Sequence, residues 1–374
     1  MEQSWNYEKI QNHASSSTSI ARQRRPTSGP DRSEWKDVGK VREMVNPLVV
    51  GFGLGFAIAW LLSLQRLQQR QFHFPLHFLV VGDWGRNGFY NQSVVASQMG
   101  QVGTMLGISF VISTGDNFYN TGLAGVDDIQ FTTSFTNIYT SPSLQTRWYA
   151  VLGNHDYMGD VLSQMDPYIQ LRDDRWICQR EYHLQYSLCT DSMKEGCKMH
   201  VDFFFIDTTP FVDDYWAASQ THTFDWRGLA SREEQLRNQL QSLNDKLETS
   251  TANWKVVVGH HTIRSMGYHG DTPELVKNLL PILKKHRVDL YVNGHDHTLQ
   301  HIKDQDSGVH FVTSGGGSKA WDGVRSSENT EGVLFAYDGQ GFAAISMGPH
   351  ELLLSFHDGL GNTIYTAHLH KSRH

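Results

Sequence analysis

The chain has 374 residues, 39% of them hydrophobic and 19% charged, so it carries enough apolar material for a buried core and wholesale disorder is excluded. Thirty-two basic residues against 39 acidic ones leave a formal charge of −7, which lacks the basic footprint of a nucleic-acid binder. Three scattered cysteines exclude a disulfide scaffold and a zinc ribbon, whereas 20 histidines direct attention to metal ligands.

Residues 1–46 are polar and mixed in charge. They contain the run Ser15-Ser16-Ser17-Thr18-Ser19 and the basic cluster Arg22, Arg24 and Arg25, with no apolar period, and read as a disordered tail. Residues 47–64, PLVVGFGLGFAIAWLLSL, carry no charge. As a helix they would span ~27 Å, close to the roughly 30 Å hydrocarbon thickness of a bilayer. Gly51, Gly53 and Gly55 would weaken a buried helix in water. Lys36, Lys40 and Arg42 before the segment, against Arg66 and Arg70 after it, favour a cytosolic N-terminus, and no A-x-A-like cleavage site follows. The segment 47–65 is therefore expected to be a transmembrane signal anchor; with Met44 as the starting residue it becomes an export signal. Either way the domain over 72–374 is expected in the secretory pathway, luminal or extracellular.

From Leu76 onward, short apolar runs at Leu76–Val81, 108–113, 149–152, 201–206, 256–258, 290–292 and 311–313 predict buried strands. Helices are predicted over 232–248 and 273–285. This alternation predicts α/β layers with largely parallel pairing. Four further runs, at Val333–Tyr337, 342–347, 352–356 and 363–367, predict an antiparallel finish.

Ligands in α/β sheets gather beyond the carboxyl ends of strands. Here those ends repeat one pattern: an apolar run, a glycine, then an oxygen or imidazole donor. The blocks are Gly82-Asp83-Trp84-Gly85-Arg86, Gly115-Asp116-Asn117-Phe118-Tyr119, Gly153-Asn154-His155-Asp156, Gly259-His260-His261 and Gly294-His295-Asp296-His297. A single Gly-Asp after a strand is most often a turn. Five such ends in this order are not explained by turns, which have no need of metal-donor side chains.

The elements Gly82-Asp83-x-Gly85, Gly115-Asp116-x-x-Tyr119, Gly153-Asn154-His155, Val257-x-x-His260 and Gly294-His295-x-His297 resemble the five-block signature of the purple acid phosphatases, within the calcineurin-like metallophosphoesterase superfamily. The resemblance runs from about Leu76 to near the C-terminus and is strongest to the short, single-domain plant members and mammalian tartrate-resistant acid phosphatase. It implies a four-layer αββα sandwich of two mixed β-sheets flanked by helices. It also implies a dinuclear centre: Asp83, Tyr119 and His297 on Fe(III), Asn154, His260 and His295 on a divalent Fe, Zn or Mn, and Asp116 bridging. Carboxylate and phenolate suit the ferric ion; amide and imidazole suit the divalent one. In the family the phenolate on Fe(III) gives the purple colour.

The activity so implied is hydrolysis of phosphate monoesters by in-line attack of a metal-bound hydroxide, without a phosphoenzyme. Small phosphomonoesters and phosphoproteins are the expected substrates. His155 and His269 match the positions at which the family protonates the leaving group. His261, Asp156 and Asp296 are expected either to orient the ligand imidazoles or to serve the structure around them, and Arg86 either steers the substrate anion or serves the surface.

Two alternatives stand beside this reading. A Mn- or Fe-dependent protein phosphatase or phosphodiesterase of the same superfamily is disfavoured by Tyr119 and by the absence of Gly-Asp-x-x-Asp-Arg-Gly. A membrane-tethered binding protein with a decayed site predicts missing ligands, yet all seven positions hold suitable donors. Among weaker signals, Cys189 and Cys197 suggest a small disulfide loop in an exported domain, leaving Cys178 free and buried. Asn91-Gln92-Ser93 is either a glycosylation sequon or a helix cap, and Gly315-Gly316-Gly317-Ser318 suggests close backbone packing near the site.

Overall fold

The computed structural model describes residues 74–190, 196–320, 324 and 331–371. The tail 1–46 and the apolar segment 47–65 lie outside the described residues. Among the described residues, no helix is long and apolar enough to cross a membrane.

The strands are β1 Leu76–Val81, β2 Phe110–Ser113, β3 Arg147–Ala150, β4 Trp176–Cys178, β5 Glu181–Ser187, β6 His200–Ile206 and β7 Trp254–Val258. They continue with β8 Leu290–Asn293, β9 Leu299–Lys303, β10 His310–Ser314, β11 Val333–Tyr337, β12 Gly341–Met347, β13 Glu351–Asp358 and β14 Thr363–His370. They form two seven-stranded sheets. One runs β14-β13-β12-β1-β2-β3-β4, the other β11-β9-β10-β8-β7-β6-β5. Both are mixed. In the first, β1 to β4 are parallel and β12 to β14 complete the sheet antiparallel. In the second, β6, β7, β8 and β10 are parallel, flanked by antiparallel β5 and β9.

Strand periodicity explains the layering, because successive side chains point to opposite faces and both faces here are apolar. Phe78 and Val80 join Phe203, Phe205, Val256 and Val258 in the core between the sheets. Their neighbours Leu79 and Val81 pack outward with Val95 and Met99 of the helix Gln92–Leu106. On the far side, Phe204, Ile206 and Val257 meet Leu243, Leu247 and Leu283 of covering helices. The result is the four-layer sandwich, two mixed sheets flanked by helices.

The helix predicted over 232–248 is Arg232–Thr249. Ser231 caps it by accepting the Glu234 N–H, with Glu233 and Glu234 in the positive first turn. The helix predicted over 273–285 is instead two, Pro273–Asn278 and Leu280–Lys285. Pro281 lacks an N–H and cannot continue the first, but suits the opening turn of the second. Asn91 occupies the cap position of Gln92–Leu106 without capping it: its backbone is left-handed and its amide donates to Gln340 Oε1 at 2.8 Å. Cys189 and Cys197 are disulfide-bonded and Cys178 is a buried free thiol.

Candidate active site

The parallel strands β1, β2 and β3 of one sheet and β7 and β8 of the other end at one edge of the sandwich, and the five glycine-donor blocks follow those ends. At Gly153 and Gly294 the absence of a side chain is required by contact. A Cβ on Gly153 would collide with the Asp116 carboxylate, and one on Gly294 with that of Asp83. The donors after the glycines take an unusual backbone. Asp83, Asp116 and His295 have φ of 62°, 50° and 69°, a left-handed region rarely used by residues with a side chain and often found at functional sites.

One half of the site is centred on Tyr119. Its Oη lies 3.0 Å from Asp83 Oδ1, 2.8 Å from Asp116 Oδ2 and 3.0 Å from His297 Nε2. A phenol has one hydrogen, so three acceptors around it leave lone pairs facing each other. In the other half, His260 Nε2 is 3.1 Å from Asn154 Oδ1, 3.3 Å from His295 Nδ1 and 3.5 Å from Asp116 Oδ1. Asp116 thus presents one oxygen to each half. All seven side chains named from the sequence meet here, drawn from both sheets.

Their outer atoms are tied off so that lone pairs point inward. His260 Nδ1 bonds the Thr114 carbonyl at 2.8 Å, and His297 Nδ1 the Lys319 carbonyl at 2.5 Å. A backbone carbonyl only accepts, so each Nδ1 carries the hydrogen and each Nε2 a lone pair. The outer oxygen of Asp83 accepts the His295 N–H at 3.0 Å. Burial, then the neighbouring Asp116 charge, pushes Asp83 well above the usual carboxylate range. Burial acts the same way on Asp116, but His260 and His155 outweigh it and bring that carboxyl to about 2. Burial lowers the imidazole of His260, takes His297 to about 3 and carries His295 well below its ordinary value. Neutral imidazoles and crowded carboxylates in a buried pocket make a donor set fitted to cations. Asp83, Asp116 and His260 present ligand atoms within 4.8 Å of one another.

His155 and His269 lie at the rim. The His155 ring packs on Tyr119 with centroids 4.4 Å apart, its Nδ1 bonds the Asn120 carbonyl at 2.5 Å, and its side chain is 30% exposed. The His269 ring stacks on His295 at 4.0 Å. Its backbone N–H donates to Asp296 Oδ1 at 2.8 Å, and Asp296 also accepts from the Ser265 hydroxyl, so Asp296 pins this loop. Arg86 belongs to the site: its guanidinium lies 3.6 Å over the Tyr119 ring and donates to Ser318 and Asn120, each at 3.2 Å. Ser318 in turn donates to the Asp83 carbonyl at 2.6 Å, which locates the glycine run Gly315–Gly317 against the first block.

Asp156 binds the second and third blocks together by accepting the N–H groups of Gly153, Asn117 and Phe118; burial, then the Asp116 charge, raises it to about 7. His261 brings a ring nitrogen within 4.8 Å of those of His260 and His295, but both its nitrogens are engaged elsewhere. Its Nδ1 bonds Thr208 Oγ1 at 2.9 Å and its Nε2 bonds Tyr215 Oη at 3.0 Å. Neither Thr208 nor Tyr215 was expected from the sequence. Asp207-Thr208-Thr209 follows β6 at the same sheet edge, a signal masked by the absence of a glycine and of an imidazole.

The calcineurin-like phosphoesterase family matches residues 76–299. Purple acid phosphatase 3 of Arabidopsis thaliana is 52% identical over 290 residues, 77% of this chain and 76% of that protein. Tartrate-resistant acid phosphatase type 5 of Oryctolagus cuniculus is 31% identical over 312 residues, 79% and 91% of the two chains. Among solved structures, GAP50, the anchor in the inner membrane complex of Plasmodium, superposes with a TM-score of 0.68 at 25% identity, over 80% of this chain and 89% of that one.

Proposed function

Because the chain belongs to the calcineurin-like phosphoesterases and within them to the purple acid phosphatases, and is accordingly an acid phosphatase, we propose that it hydrolyses phosphate monoesters at a dinuclear Fe(III)–M(II) centre, M being Fe, Zn or Mn. The observation that carries this reading is the convergence of Asp83, Asp116 and His297 on the Tyr119 hydroxyl, with Asp116 facing both halves of the site.

Asp83, Tyr119 and His297 would hold the ferric ion, Asn154, His260 and His295 the divalent one, and Asp116 both. Such a pair, when bound, supplies the Lewis acidity that activates water in acid and takes up charge on phosphoryl oxygens. The remaining steps belong to side chains. Arg86 supplies a fixed positive charge beside the pocket to attract the substrate dianion. With His155 Nδ1–H committed to the Asn120 carbonyl, Nε2 is the atom that carries a transferable proton to the leaving oxygen. His269, held by Asp296, offers its ring edge to the phosphoryl group from the opposite rim. Water displaces the alcohol in line, and no side chain becomes phosphorylated.

The experiment is to purify the intact protein, measure bound metals and the visible spectrum, and follow p-nitrophenyl phosphate hydrolysis in acid. Iron with one further divalent ion, a purple colour and turnover are expected. A colourless, iron-free enzyme that turns over well would refute the ferric assignment.

We further infer a luminal or extracellular position, supported by the uncharged run 47–65 and by a disulfide suited to an oxidising compartment. Protease protection of the Leu76–His370 region in intact microsomes, or its recovery from the medium, is the expected result; a freely digested cytosolic protein would exclude it.

A further inference from the structure

Tyr215, in the helical turn Asp213–Trp216, reaches the site through His261, whose Nε2 lies 3.0 Å from its Oη, and has no task in the reaction as derived so far. Its neighbour His261 packs ring against ring with His260 at 4.8 Å and His295 at 4.4 Å. Counting donors fixes the direction of every bond between Tyr215 and the backbone behind it. Thr208 Oγ1 accepts the N–H of His260 at 3.1 Å and of His261 at 3.0 Å, which occupies both its lone pairs. Its one hydrogen therefore goes to its remaining partner, His261 Nδ1. An imidazole that accepts at Nδ1 carries its hydrogen on Nε2, so His261 donates and the Tyr215 oxygen accepts. The Tyr215 hydrogen is thereby left over, and the described residues provide no acceptor for it.

The ring is held while the hydroxyl stays uncommitted. Tyr215 stacks on Phe224 at 4.7 Å, Phe224 on Trp226 at 5.5 Å, and Trp226 on Trp216 at 3.8 Å, with the Arg232 guanidinium 5.5 Å from the last ring. A rigid aromatic ladder thus presents one directed O–H at the edge of the site, at little entropic cost when an acceptor arrives. An anionic phosphoryl oxygen is the acceptor such a donor binds most strongly.

We propose that Tyr215 is a substrate-binding residue whose hydroxyl donates a hydrogen bond to a non-bridging phosphoryl oxygen, with Thr208 and His261 as positioning residues that turn its hydrogen outward. The inference rests on the phosphomonoesterase reading above and adds a phosphoryl contact to it.

The test uses the metal-loaded full chain and its Tyr215→Phe variant, which keeps the ring in the stack. Three quantities are measured: kcat/KM for p-nitrophenyl phosphate, kcat/KM for the alkyl ester β-glycerophosphate, and the competitive Ki of inorganic phosphate. Both kcat/KM values should fall, and the phosphate Ki should rise, by one common factor on the order of tenfold. Metal content and visible spectrum should stay unchanged. Ki does not depend on the folded fraction, so partial unfolding cannot imitate this result. A phosphate Ki and both kcat/KM values within twofold of the parent would overturn the inference. So would a loss confined to the alkyl ester with Ki unchanged, which is the signature of a proton donor to the leaving group. An inactive parent enzyme would instead overturn the phosphomonoesterase reading itself.

Discussion

Asp116 Oδ2 stands 2.8 Å from the Tyr119 hydroxyl, while the other oxygen of the same carboxylate is 3.5 Å from His260 Nε2. The link between Tyr119 and Asp116 gives the two halves of the site a shared wall and different jobs. Tyr119→Phe should abolish the visible absorption yet leave measurable turnover, since the carboxylates and imidazoles remain. Asn154→Ala should cost roughly 100-fold or more in turnover and release the divalent ion, by analogy with losses seen when a metal's supporting groups are removed. Visible spectra, metal analysis and steady-state rates on the two variants check both; equal colour in Tyr119→Phe and parent would exclude the phenolate ligand.

Asp296 acts through the loop that carries His269. Its carboxylate holds the His269 N–H and the Ser265 hydroxyl, and Gly267 packs directly against it. Asp296→Ala should loosen this loop and lower kcat/KM on the order of tenfold, a fraction of the roughly 100- to 10,000-fold that a positioned acid–base group supplies. Both metals should be retained, as metal analysis on the purified variant would show. Loss of one metal would assign Asp296 to the metal centre.

Outside the donor cluster, buried His301 and half-buried His310 pair Nε2 to Nδ1 at 2.8 Å, with the Tyr365 hydroxyl 3.0 Å from His301. Burial, then the charge of the partner ring and Lys303, brings His301 to about 3; burial, then Lys303, brings His310 to about 4. In the unfolded chain both lie near 6.5. The unfolded state therefore binds more protons between those values, and stability from this pair is complete above pH ~6.5 and lost as pH falls toward 4 and then 3. The upper limit is ~1.4 kcal/mol per pH unit for each ring. Replacing both rings by glutamine should reduce the drop in melting temperature between pH 7 and pH 5. An unchanged drop would show that other groups set the acid sensitivity.

Phe78 is fully buried between the sheets, stacked on Phe110 with centroids 4.9 Å apart and meeting Phe203 edge-on at 5.3 Å. Phe78→Ala should cost ~3–5 kcal/mol by opening a cavity in the inner layer. Denaturant titration measures this directly, and a loss under ~1 kcal/mol would mean that the layer collapses around the gap.

The strand ends were legible because everything they need is local: an apolar run, a glycine and a donor within a few residues. All seven converging donors and both rim histidines could be written down from that pattern and the family resemblance. The strands β4, β5 and β9 were not. β5 and β9 mix Gln, His and charged residues into their runs, and β4 has only three residues, so each becomes a strand through pairing with a neighbouring strand of its sheet. The same holds for Thr208 and Tyr215. Their importance lies in hydrogen bonds to His261, 53 and 46 residues away, which no window along the chain reveals. The left-handed backbone of Asp83, Asp116 and His295 is likewise a property of convergence, since isolated residues of these types would relax from it.

Asp83, Asp116, Tyr119 and Asn154 follow strands of one sheet, while His260, His295 and His297 follow strands of the other. Occupying the site therefore rivets the two leaves of the sandwich at their functional edge. Binding energy is then also cohesion between leaves, growing with the logarithm of free metal concentration. Chelation should do more than silence turnover: amide exchange along both edges should quicken together, as for a book whose clasp has been undone.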